Sequence, residues 1–137
     1  MIMNLNINSV KSLFRSRLME VEGIRASNFA SEGTVFTPPS NTPYWFRESC
    51  GDWNFDPFGR ITGNFTCEVY VRPDSGIRRA DLLCDRIIAA FDPHAGPFGD
   101  PFVRIQPVSL RRTSLSSDGS WSSSAIRIEF VAWSSIR

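Results

Sequence analysis

One histidine, His94, and three cysteines, Cys50, Cys67 and Cys84, are the residues of this chain whose types most often carry metal or nucleophilic chemistry. The cysteines are evenly spaced, with no CxxC and no His–Cys pair, so no ligand spacing for a structural zinc is present. An odd, sparse cysteine set fits a reducing compartment in which each thiol serves as a small buried hydrophobe. His94 shares its segment with Asp92 and Asp100, yet no serine or cysteine stands at a readable spacing from it. A lone loop histidine of this kind reads as a surface residue rather than a base. Asp52 and Asp56 flank aromatics, where turn aspartates bond their own backbone. Asp81 and Asp85 fall four apart on a helix, and a two-carboxylate metal site would need further ligands that the sequence does not offer. GxxxxGK[ST], GxGxxG and GxSxG are all absent. No catalytic, cofactor-binding or metal-binding residue is expected, and the chain reads as a non-enzyme.

The remaining chemistry is that of contact. Fourteen of the fifteen basic residues are arginines, against fourteen acidic residues and a net charge of +1. Arginine's planar fork suits paired, stacked and interfacial contacts. GC-rich codon usage accounts for the same bias equally well. A dedicated nucleic-acid binder would carry a stronger positive excess. Trp53, Phe55 and Phe58 gather at a turn, with Arg60 directly after it, where large apolar side chains are rarely left in water without cause. They either fold back as a local cluster or bury against a partner. Arg111 and Arg112 stand at the base of a serine-rich hairpin that also holds Trp121. These seven residues are the candidate interface.

The elements that must position them follow from periodicity. Val10, Leu13, Phe14, Leu18 and Val21 make one apolar stripe, which predicts a helix over 9–22 with Ser9 as its cap and Gly23 as its stop. Lys11, Arg15 and Glu22 fall on the opposite face. Residues 28–43 read as a loop, since Pro38, Pro39 and Pro43 forbid a helix, with one β-prone piece at 34–36. A strand from residue 43 toward Trp53 and a second at 61–72 follow, joined across 53–59. In the second, Ile61, Gly63, Phe65, Cys67, Val69 and Val71 alternate with polar residues. A helix is predicted at 77–91, with Ile77, Ala80, Leu83, Cys84, Ile87, Ile88 and Phe91 buried and Arg78 and Asp81 paired on the surface. The segment 93–101 must be a loop. The last third is a long hairpin, 102–115 and 120–133, turning at Asp118-Gly119.

A chain of 137 residues, 42% hydrophobic and 21% charged, can bury a core as a single domain over 1–137. No apolar run approaches the roughly 18–20 residues that cross a bilayer. The N-terminus lacks the pattern of a signal peptide, so neither secretion nor membrane insertion is expected. The order of elements predicts an α+β fold: an antiparallel or mixed β-sheet, two amphipathic helices packed on one face, and a long projecting C-terminal hairpin at about 103–133. Strands of this length either bend strongly or project, because ~3.3 Å per residue outruns the ~14 Å gyration radius of such a domain. The serine-rich distal part cannot build a core, so the hairpin tip reads as an inter-subunit arm or as a surface hairpin.

The stretch Val35-Phe36-Thr37-Pro38-Pro39-Ser40-Asn41-Thr42-Pro43-Tyr44, after an N-terminal amphipathic helix, resembles the FxPPxxTPY segment of phage tail terminator-like proteins, the tail completion family of long-tailed bacteriophages. The likeness continues through residues 63–71, the helix carrying Gly76 and Ala80 and ending at 88–91, and Trp121 before the final strand 126–131. It covers most of the chain in order, through short motifs of which none is catalytic. The resemblance implies a structural role: a ring, typically hexameric, that closes the head-proximal end of a tail, ends tail-tube polymerisation and offers the head-joining surface. The implied partners are further copies of the chain, the tail tube protein and a head-closure or neck protein. DNA would pass through the lumen without specific binding, with no cofactor and no membrane. Its place would be the virion, at the head–tail junction, after assembly in the host cytoplasm. The serine-rich hairpin and the aromatic turn depart from the family pattern, and both read as contact elements. A head-closure or neck adaptor ring is the nearest alternative, and a small soluble binding module a third.

Overall fold

Val10, Phe14 and Leu18, four residues apart on one face, are fully buried and define helix α1, Ile7–Met19. Residues 7–92, 103–115 and 119–133 are described by the computed structural model. Because α1 begins at Ile7, Ser9 lies inside it and is not its cap. The helix gives way after Met19 to turns that lead through Gly23 at φ +100°, where a Cβ would sit 3.3 Å from the Tyr44 hydroxyl. That position needs glycine on both grounds.

The β-prone piece at 34–36 forms no strand; Val35 is 99% exposed. The sheet edge it would have joined is taken by β1, Phe29–Ala30, which pairs parallel with β2, Tyr44–Phe55. Then come β3, Arg60–Val71, helix α2, Gly76–Ala90, and the strands β4, Val103–Leu115, and β5, Ser122–Trp133. The five strands lie in the order β1-β2-β3-β5-β4, antiparallel except for β1, so the sheet is mixed. Both helices bury their stripes against the sheet face formed by Phe46, Phe65, Val69, Ile126, Ile128 and Phe130. Phe14 is the keystone: its ring meets Phe65 at 4.8 Å, Phe130 at 5.2 Å and Phe91 at 5.8 Å. The fold is α+β, as its element order predicts.

Two further expectations change. Ile77, assigned to the buried stripe of α2, is 60% exposed. The C-terminal hairpin does not stand clear of the sheet over its described residues. β5 pairs with β3 from Ser122 to Trp133 and with β4 from Leu115 back to Val103, so it is an inner strand held on both sides. Its length is absorbed by a sheet of equally long strands, bent by bulges in β2 and β4. The turn at 116–118 lies outside the described residues, as does His94.

Candidate assembly surfaces

Chemistry at the cysteines is disfavoured by their surroundings. Burial pushes the half-buried Cys50 thiol up to about 11, reinforced by Glu32, so it is protonated at neutral pH. Cys67, wholly buried, is raised further by the same cause. Cys84 is also buried and unoxidised. Among the described residues no cluster of three or more His, Cys, Asp or Glu could hold a metal ion. A shallow depression of about 400 Å³ beside the β2 bulge is lined by Asp52, Asn54, Gln106, Arg127 and Glu129 among others. A cleft of about 480 Å³ between the helices is lined by Arg17, Glu20, Glu22, Arg86 and Ala89 with their neighbours. Both are open and carry no nucleophile aligned with a base.

Two cations of the polar face of α1 reach across to β2 and to the segment that follows β1. Arg15 forks onto the fully buried Glu48 of β2, with Nε 3.0 Å from Oε1. Lys11 reaches Glu32 at 2.8 Å, and Glu32 also accepts the Cys50 N–H. The hydrogen bond from Lys11 holds the Glu32 carboxyl below its ordinary value.

The seven candidate interface residues divide into four places. At the β2–β3 tip, Phe58 is 87% and Phe55 56% exposed. The tip is a built turn: Asp56 accepts the Phe58 N–H at 2.6 Å, donates its own N–H to Arg60 O at 2.8 Å, and Gly59 turns the chain at φ +90°. Arg60 is exposed beside it. Trp53 is elsewhere. A one-residue bulge between Gly51 and Asn54, with Asp52 at φ +54°, turns it onto the core face. There it packs edge-on against Phe130 at 5.0 Å, and its indole N–H donates to Asn64 O at 3.3 Å. Arg111 is exposed on β4, and the backbone of its neighbour Arg112 pairs with Ser124.

Trp121 belongs to a fourth place that periodicity does not reveal. On the sheet face away from the helices, Trp45 stacks flat on Tyr70 at 4.1 Å and meets Trp121 edge-on at 6.1 Å. Phe36 stacks on Trp45 from the proline-bearing segment at 5.2 Å. Arg72 lies 3.9 Å over the Trp121 ring and Arg47 5.5 Å from that of Trp45. The same two guanidiniums donate to main-chain carbonyls of that segment: Arg47 to Thr34 O at 3.1 Å, Arg72 to Ser40 O at 3.1 Å and Thr42 O at 3.4 Å. Alternation puts Tyr70 on the polar side of β3, with Arg72 just beyond the strand's end, but it does not name Trp45 or Trp121 as their neighbours.

No family model and no curated protein matches the chain. A solved structure, whose name carries no statement of activity, aligns with it at a TM-score of 0.69 and 18% identity, over 93% of this chain and 96% of its own. The chain therefore shares a whole-domain fold with a known structure, and that likeness concerns the fold alone.

Proposed function

We propose that this chain is a structural virion protein that forms a homo-oligomeric ring, hexameric in the resembled family, at the head-proximal end of a phage tail. It ends tail-tube polymerisation and presents the surface to which the head is joined. The observation that carries the reading is the setting of Phe58: a large apolar ring held out in water on a turn fixed by three hydrogen bonds. Such a side chain costs free energy until a protein surface covers it. The FxPPxxTPY segment supplies the class of partner, since in the resembled family the contacts are with sister subunits, the tail tube and the neck. On this reading the chain acts by capping and joining, without catalysis, at the head–tail junction of the virion, and DNA slides through the lumen unread.

The test is negative-stain imaging of tail-tube subunit polymerised in vitro, with and without this protein. Tubes that stop lengthening and carry a ring of density at one end are expected. Tubes of unchanged length and bare ends would overturn capping and favour a neck adaptor, for which the capsid connector is the next partner to try.

A further inference from the structure

We propose that the Trp45–Tyr70–Trp121 shelf is a recognition groove for an extended, proline-bearing segment, and that in the assembled protein it is occupied by the 34–42 strap of a second copy. The inference rests on the homo-oligomeric part of the reading above, and not on its tail-capping part.

Within one chain the strap already shows what the groove takes. Phe36 supplies one ring, stacked on Trp45 with the planes 28° apart. Pro38 and Pro39 carry no backbone N–H groups that would need partners and restrict residues 37–39, and the Thr42 N–H closes a turn onto Pro39 O at 3.0 Å, so little entropy remains to be lost on docking. The two arginines grip carbonyls at both ends of the strap. Carbonyls are the same whichever chain brings them, so a neighbour's strap would find the same two guanidiniums as donors in this register or in a shifted one.

Three features mark the intrachain seating as exchangeable. The strap is shallowly held: of residues 33–43 only Phe36, Pro38 and Thr42 are even half-buried. Segments with so little buried surface open at a small fraction of the cost of global unfolding. It leaves β1 through Gly33 at φ +77°, a residue with open space around it that can act as a hinge. The third feature is Trp45, only 7% exposed, whose indole N–H has no hydrogen-bond partner. Aromatic grooves for proline-bearing segments characteristically offer an indole N–H to a ligand carbonyl. The intrachain strap cannot slide to supply one, because its ends are pinned by the Ala30–Arg47 pairing and by the start of β2 at Tyr44. A strap arriving from another copy is free of that register. Once vacated, the shelf would expose Trp45, Tyr70 and Trp121 together, a patch that favours being covered again. Each copy carries one strap and one groove, the heterologous arrangement from which closed rings are made.

A mixing experiment separates the two halves. Variant Phe36→Ser weakens the strap and keeps the groove; the double variant Arg47→Ala with Arg72→Ala weakens the groove and keeps the strap. Far-UV circular dichroism checks that each is folded, and Pro38→Ser with Pro39→Ser replaces the first variant if Phe36→Ser is not. Sedimentation of each alone should show single chains, and an equimolar mixture should show a two-chain species joined through the one intact strap–groove pair. A mixture that stays at the mass of single chains, or variants that self-associate as wild type does, would overturn the exchange. Wild-type protein that still caps tubes alongside a monomeric mixture would sink the exchange and leave the capping reading standing.

Discussion

Glu48 is a carboxylate fully buried on the core-facing side of β2, and its guanidinium partner Arg15 keeps 41% of its own side chain accessible to water. That asymmetry decides what each deletion does. Arg15→Ala strands a buried negative charge, and breaking a buried pair from that side costs about 3–5 kcal/mol. Glu48→Met removes the charge while filling similar volume, and Arg15 can turn to solvent. Its effect is expected within about 1 kcal/mol of zero, because the desolvation penalty disappears with the attraction. Urea unfolding of the two variants checks this: the midpoint should fall sharply for Arg15→Ala and stay close to wild type for Glu48→Met. Equal losses would mean that the pair stabilises through Coulomb attraction rather than by rescuing a buried carboxylate. Glu48 and Arg15 also show that the polar face of α1 serves the fold as well as facing water.

At the scale of elements, the bulge in β2 and the glycine opposite it act as one device. Turning Trp53 onto the core face requires an empty place on β3, and Gly63 provides it: a Cβ there would stand 2.8 Å from the Trp53 ring. Gly63→Ala should therefore destabilise by about 1–3 kcal/mol through overpacking, although alanine ordinarily suits a strand better than glycine. Thermal unfolding would measure the loss, and the near-UV signal of Trp53 should change with it. An unchanged melting temperature would mean that the indole has room to retreat. Elements whose signal is local were legible in the sequence: both helices from their 3.6-residue stripes, and β3 from its alternation. Gly63 was legible only as a member of that alternation. Its role depends on a register shift between Gly51 and Asn54 in the preceding strand, and periodicity carries no information about cross-strand pairing. The same limit hid β1, whose two residues are a strand only because Phe46 and Arg47 pair with them. It hid the aromatic shelf as well, because Trp45, Tyr70 and Trp121 come from three separate segments. That Trp53 touches Phe55 yet faces the core was hidden for a related reason: a bulge reverses which face a residue takes, and nothing in the residue types announces it.

For the molecule as a whole, the question is which surface is left to bind. The long edge strand β4 is poorly suited to adding another strand, because bulges interrupt it and Pro107 sits in one of them. Edge-to-edge growth of the sheet is thereby discouraged, which suits the proposed capping role. Besides the strap and its groove, the protruding feature is the β2–β3 tip. Phe58 makes almost no contribution to the fold at 87% exposure, so Phe58→Ser should leave unfolding free energy within about 0.5 kcal/mol of wild type. If the tip is the surface that meets a tube or a neighbouring subunit, the same substitution should abolish the ring of density at tube ends and let tubes lengthen again. Losing one buried phenylalanine at the centre of an interface commonly costs 2 kcal/mol or more, about a 30-fold weakening, which is enough to empty a cap at modest concentration. Stability and capping are thus predicted to separate in a single variant. Should Phe58→Ser cap tubes as wild type does, the ring is held out to water for some other partner, and the tail-tube contact must be sought on the arginine-bearing outer face of the sheet.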